Sequence, residues 1–223
     1  MSDASVQNVM PAFNLAIVKE IRHFIVEDLR TARRFLKRVD RSIDIDSLSF
    51  ALLNEHTSPA DVPAMLAPME RGEDMGVMSD AGCPAVADPG ALAVAEAQRR
   101  GYRVRPLVGP SSILLALMGS GFNGQSFTFR GYLPVEAPAR ATALKEMTRE
   151  ITRYRRTQIF IETPYRNNRL LAELASALPG EMLLCVASDI TGERESIITR
   201  PLRQWRTATY DYGRIPAIYL LYQ

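Results

Sequence analysis

Asp80-Ala81-Gly82-Cys83-Pro84 is the stretch of this chain best suited to hold a ligand. Ala81, Gly82 and Ala85 carry little or no side chain, so a bound molecule can approach the backbone closely. Asp80 sets a carboxylate beside them. A carboxylate repels phosphate, so this loop suits a cation, a ribose hydroxyl or an amino group. Asp88-Pro89-Gly90 follows as a second turn. Further on, Gly109-Pro110-Ser111-Ser112 opens a helix, whose hydroxyls and first N–H groups offer a second set of contacts. Asp80 and Asp88 taken singly read equally well as turn or cap residues; the paired bends point to a ligand.

The elements that must position these bends come next. Residues 75–79 form a short apolar run that suits a buried strand. From Ala91, the positions of Leu92, Val94, Ala95 and Ala97 suit a helix, and Gly101 stops it. Residues 104–107 read as the next strand. In such a strand–helix–strand unit the functional loops follow strand C-termini, the edge at which open α/β sheets bind ligands. Upstream, 23–27 reads as a buried strand with Glu27 and Asp28 at its end, then an amphipathic helix over 30–39. Residues 48–53 read as a third strand followed by Asn54-Glu55-His56, and Thr57 or Ser58 caps a single helix with Pro59 in its first turn. Downstream we expect strands at 127–130, 158–162, 182–187, 193–199 and 218–222. Helices are expected at 138–153 and from the Thr163-Pro164-Tyr165-Arg166 turn to 178. Gly131 is read as part of a turn. The fold class is therefore α/β, with a mostly parallel first sheet and a mixed second one. The breakable stretch 119–124 places the junction between domains 1–120 and 121–223.

Composition narrows the classes. The chain has 223 residues, enough for one large domain or two smaller ones. No apolar run is long enough to span a bilayer, and the first residues do not form a secretion signal. Cys83 and Cys185 make neither a metal spacing nor a disulfide framework, so we expect no metal and a reducing, cytoplasmic setting. Net charge is only +2, which excludes a generally basic nucleic-acid binder. The charge is uneven, however. Residues 130–169 hold nine Lys/Arg against four Glu, and 22–41 hold seven against three acids. Such clusters engage phosphates and are equally the solvated faces of helices.

SDAGCPAVADPG (79–90) followed by GPSS (109–112) resembles the SDAGTP…SDPG…PGPSA signature of the tetrapyrrole methylase superfamily. Within it, the chain is most similar to the branch that methylates a cytidine ribose 2′-oxygen of small-subunit ribosomal RNA. FIVEDLRTARRFL (24–36), SGFNGQSFTFRGYLP (120–134) and FIETPYRN (160–167) match in the expected order. The resemblance implies a homodimeric methyltransferase with the two-domain tetrapyrrole methylase fold, using S-adenosyl-L-methionine. It implies that Asp80, Ala81, Gly82, Cys83, Ser111, Ser112, Pro216 and Ala217 hold this cofactor in a crevice between the halves. Glu27, Asp28, Arg30, His56 and Arg130 would face the substrate, a ribosomal RNA or small ribosomal subunit. Glu27 and Asp28 serve equally well as caps of the next helix, and His56 as a structural residue. Methyl transfer to a ribose hydroxyl needs a positioned acceptor and a base. Glu162 and Arg166 are the candidate catalytic pair, with an ion pair between the two as the alternative role.

This chain departs from the branch at identifiable places. Its lysine position holds Gly192, with no histidine after it. Tyr165 stands where the branch has histidine, and Cys83 where it has threonine. The family's first strand and glycine loop fall ahead of residues 1–3, so that strand is expected to be missing, either because the sequence starts late or because the protein lacks it, with Asp3 as the loop's remnant. Loss of the lysine and histidine keeps a second reading open, a methyltransferase of a small molecule such as a tetrapyrrole. The missing strand keeps a third, a non-catalytic RNA-binding or dimeric scaffold protein.

Overall fold

The computed structural model describes residues 6–223; the expected loop remnant at Asp3 lies outside them. The chain forms two compact units, one ending at Pro110 and the other spanning Ser111–Gln223. The helix ahead of the expected junction at 119–124 thus groups with the second unit.

The first unit is built on a three-stranded parallel sheet. Its strands are β1 (His23–Val26), β2 (Ser49–Leu52) and β3 (Met75–Met78), in the order β2-β1-β3. Helix α1 (Ala12–Glu20) starts directly after Pro11, and a three-ten turn at Val6–Asn8 precedes it. Helix α2 (Leu29–Val39) buries Ala32 and Leu36 against Phe24 and Val26 on one sheet face. On the other, Ile25 and Leu53 pack with Val62, Leu66 and helix α5 (Gly90–Arg99). All three strands run the same way, with Val26 in register with Leu52 and with Met78. The loops after them therefore leave from one edge.

Two expectations fail in this unit. The single helix after Ser58 is a three-ten turn at Pro59–Asp61 and two one-turn helices, α3 (Val62–Met65) and α4 (Ala67–Glu70). Pro63 and Pro68 each remove a backbone donor, and the chain breaks between them at Leu66. Residues 104–107 are not a strand. Tyr102 and Val104 do pack on the sheet's core, which is the alternation the sequence displays, but the segment joins no ladder and Pro106 lacks an N–H to offer one. It is held instead by Asn14 Nδ2, which donates to the Val108 carbonyl at 2.5 Å.

The second unit is a five-stranded mixed sheet: β4 (Phe127–Tyr132), β5 (Thr157–Ile161), β6 (Leu183–Ser188), β7 (Ser196–Pro201) and β8 (Ala217–Tyr222), in the order β4-β5-β8-β6-β7. Only β4 and β5 pair in parallel. Helices α7 (Ala137–Tyr154), α8 (Asn167–Ala177) and the short α9 (Leu202–Trp205) cover one face with Leu144, Met147, Ile151, Leu171, Leu174 and Trp205. Helix α6 (Ser112–Ser120) covers the other with Ala116 and Leu117.

Gly131 is not in a turn: β4 continues through it to Tyr132, and the register with β5 shifts between Phe129 and Tyr132. Its φ of +67° marks a bulge that suits glycine. The strand expected at 193–199 begins only at Ser196. Residues 189–195 fold back on themselves: Asp189 Oδ2 accepts from the Arg194 N–H and Glu195 Oε2 from the Thr191 N–H.

Candidate active site

The C-terminal edge of the first sheet collects four carboxylates. Glu27 follows β1 and Ser79 follows β3, both one residue past the paired ends. Ser79 Oγ and the Asp80 N–H donate to Glu27 Oε1 at 2.9 and 2.8 Å. Glu27 thus fixes the first turn of the 79–83 loop. Asp28 caps α2, accepting from the Thr31 N–H at 2.7 Å. Of the two roles open to this acidic pair, Asp28 takes the cap. Asp88 Oδ1 holds the second bend by accepting from the Ala85 and Gly90 N–H groups at 2.9 and 2.6 Å. Its Oδ2 is buried with no hydrogen-bond partner.

The crowding shows in the titration of these groups. Burial pushes Asp80 above the usual carboxylate range, and the charges of Asp28 and Asp88 push it the same way. Burial also raises Glu27; the donors from Asp80 and Ser79 oppose the rise and Asp88 adds to it. A positive charge bound here would relieve both. Gly82, at φ +90°, has nothing within 4 Å of where a side chain would start, so the loop presents bare backbone on that side. The small residues, the acidic field and the orphaned Asp88 oxygen fit a sulfonium nucleoside with ribose hydroxyls and an amino group.

Cys83 lies against Pro110, with Sγ 3.4 Å from its carbonyl oxygen. Ser111 caps α6 through the Leu114 N–H, and Ser112 is exposed in the first turn. His56 sits on the same edge of the first sheet but is fully out in solvent, 3.5 Å from Glu55. Arg30 is exposed on the first turn of α2.

The second sheet has an equivalent edge. Ile161 pairs with Ile218, and Ser188 with Ala217. The residues after β5, after β6 and before β8 therefore emerge side by side, with the segment after β4 beside them. Glu162, Arg166, Pro216 and Ala217 all belong to this edge, and the Asp189 N–H donates to the Pro216 carbonyl. Glu162 Oε1 accepts from the Thr163 N–H at 2.6 Å and from Arg166 Nε and Nη2 at 3.0 and 2.6 Å. The expected ion pair is there, and it leaves Oε2 free of these donors. A pocket beside it is lined by Val135, Arg140, Glu162, Arg166, Leu170 and Glu173, among others.

Arg130 lies elsewhere. It is within β4, where its Nε donates to Gln158 and its Nη2 meets Glu150 at 2.8 Å. Burial pushes Glu150 up, but Arg130, Gln158 and Arg156 outweigh that and hold it below the usual range. Arg130 is thus occupied within its own unit. The sequence reading missed Asp88 as an organiser, although its place before Pro89-Gly90 signalled a turn. It also missed Arg140, buried between Glu173 and the carbonyls of Pro134 and Val135.

Comparison with known proteins is consistent with this geometry. No family model matches the chain. It is 31% identical over 190 residues to the ribosomal RNA small subunit methyltransferase I of Vibrio cholerae, covering 85% of this chain and 63% of that protein. It is 32% identical over 191 residues to the protein of that name from Xylella fastidiosa, covering 86% and 67%. The chain thus spans less than two thirds of the length of the first of these relatives and about two thirds of the second. Among solved structures, the methyltransferase CobJ superposes with a TM-score of 0.63 at 16% identity, over 97% of this chain and 89% of that one. A uroporphyrin-III C-methyltransferase from Thermus thermophilus, solved with S-adenosylhomocysteine, gives 0.54 at 16% identity, over 97% and 92%. The fold is that of these methyltransferases, and by sequence the chain belongs to the ribosomal RNA small subunit methyltransferase I family.

Proposed function

We propose that this chain is an S-adenosylmethionine-dependent methyltransferase acting on a ribose 2′-oxygen of small-subunit ribosomal RNA in the cytoplasm. The observation that carries the reading is the glycine-bearing loop 79–83, pinned by Glu27 in a field of four carboxylates, in a chain of this family. When bound, S-adenosylmethionine supplies a sulfonium methyl group to the ribose oxygen. Asp80, backbone groups of Ala81, Gly82 and Cys83, the hydroxyls of Ser111 and Ser112, and the Pro216-Ala217 backbone would hold it. Glu162 Oε2 takes the proton of the ribose hydroxyl. Arg166 holds the other oxygen and keeps Glu162 aimed. Arg30 and His56, both exposed, would meet RNA rather than react.

A labelled-methyl assay on small ribosomal subunits lacking the modification tests the reading; no incorporation counts against it. Glu162→Gln is expected to lower kcat by roughly 10²–10⁴-fold with donor affinity unchanged. An unchanged kcat removes Glu162 from the chemistry. Tetrapyrrole substrates are the second reading, favoured by the 189–195 loop. A side chain at Gly192 would begin 2.3 Å from the Asp189 carboxylate, so the loop leaves little room for the branch's lysine. Incorporation into precorrin-like substrates alone would establish that reading. A homodimer is supported by Leu114 and Met118, one turn apart on α6 and 50% and 78% exposed; sedimentation at micromolar concentration tests it.

A further inference from the structure

The C-terminal end of α7 carries an exposed cationic group that the proposed chemistry does not use. Arg149, Arg153, Tyr154 and Arg155 are all exposed there, and Tyr154 keeps 51% of its surface in solvent. The guanidinium groups of Arg153 and Arg156 lie 5.2 and 5.5 Å from its ring centre. Among the described residues, Arg149, Arg153 and Arg155 form no ion pair with a carboxylate; Glu150, the nearest acid in sequence, is engaged by Arg130 and Arg156. Arginine at a helix C-terminus is ordinary, since it complements the helix dipole. Two features go beyond that. A large aromatic ring stays half in water beside two cations instead of packing. Arg155 also holds the left-handed conformation, φ +52° and ψ +40°, a position where glycine is the unstrained residue. That conformation is clamped by the Arg155 N–H on the Ile151 carbonyl and by Asn123 Nδ2 on the Arg155 carbonyl. Five other described non-glycine residues also hold positive φ, so it is the exposed cation kept in this position, beside an exposed ring, that points to use.

We infer that Arg149, Arg153, Tyr154 and Arg155 form an RNA-docking platform, in which the arginines meet phosphates and an unpaired base stacks on Tyr154. Cations beside an exposed aromatic are the pairing that single-stranded RNA requires. The platform rests on the RNA-directed reading of this chain. It lies near the start of β5, at the opposite end of that strand from Glu162, so it serves to orient RNA rather than to react with it.

The test is fluorescence anisotropy of the full chain with a mixed-sequence single-stranded oligoribonucleotide over a salt series, beside the methyl-transfer assay. Tyr154→Ala should weaken binding about 5- to 100-fold while Tyr154→Phe keeps it, as stacking requires. The combined Arg149→Ala, Arg153→Ala and Arg155→Gly change should flatten the salt slope by up to about 2. Arg155→Gly alone should weaken RNA binding while keeping or raising the melting temperature, because it removes the strained residue. A purely structural role predicts no loss of binding. Unchanged affinity and slope in these variants overturn the platform even if methylation of RNA stands. Patch-dependent RNA binding without any methyl transfer upholds the platform and defeats the enzymatic reading. No RNA binding by the wild-type chain, or patch-dependent binding only to anionic vesicles, overturns it outright.

Discussion

At the scale of single residues, Asp80 is the proposed cofactor contact whose charge the fold works against. Its carboxyl titrates above the ordinary value of 3.8 because burial and then the charges of Asp28 and Asp88 oppose ionisation. The sign follows directly. A folded-state value above the unfolded one favours the fold fully below 3.8, and that contribution is lost as pH rises through the raised value. A cationic ligand does the reverse, since it needs the ionised form. Donor affinity, measured by calorimetry, is therefore expected to fall as pH drops through the Asp80 titration, while Asp80's own contribution to the stability of the unliganded protein, read as wild type minus Asp80→Asn, rises over the same window. Asp80→Asn should remove the Asp80 share of both dependences and weaken the affinity, leaving the smaller pH response that Glu27 contributes. A variant whose affinity still follows pH as the wild type does would place the relevant charge elsewhere.

At the scale of elements, the junction between the second bend and α5 is where a glycine of the first unit has the least room for a side chain. A side chain at Gly90 would begin 2.6 Å from Asp88 Oδ1 and 2.9 Å from Val77 Cγ1. Gly90→Ala must therefore push apart the carboxylate that holds the bend and the strand that precedes it. The expected loss is about 1–3 kcal/mol, the range for overpacking, read from the midpoint of a urea titration. Val77→Ala in that background should recover part of it by opening room on the strand side. Local pattern made much of this legible in the sequence. The apolar run before Asp80, the turn residues after it and the glycine that stops α5 are short-range signals. What was not legible is what depends on tertiary partners. Val104 between two arginines alternates like a strand, but no neighbour completes the ladder. Arg130 reads as a phosphate ligand until Glu150, on another element, is seen to occupy it. Glu27 and Asp80 are brought together only by the parallel register of β1 and β3.

At the scale of the whole molecule, the two units differ in how much core they own. Of the twelve largest fully buried side chains among the described residues, Phe24, Ile25, Leu36 and Leu53 lie in the first unit and the other eight in the second. A short three-stranded sheet with fewer large side chains to bury has less hydrophobic stabilisation to set against its chain entropy. The first unit is therefore expected to unfold at lower denaturant than the second. The chain carries a reporter that separates them. Its single tryptophan, Trp205, is 2% exposed in the core of the second unit and donates its Nε1–H to the Leu184 carbonyl. Far-ultraviolet dichroism sees the helices of both units, whereas tryptophan fluorescence sees only the second. Dichroism should start to fall before fluorescence moves, and the two curves should not coincide. Saturating S-adenosylmethionine should then delay the early phase, by about 2.7 kcal/mol at a hundred times its dissociation constant, because the carboxylate edge and the 79–83 loop belong to the first unit. Coincident curves would mean that the units unfold as one. A ligand shift confined to the fluorescence phase would move the main cofactor contacts to the second sheet's edge, around Pro216 and Ala217.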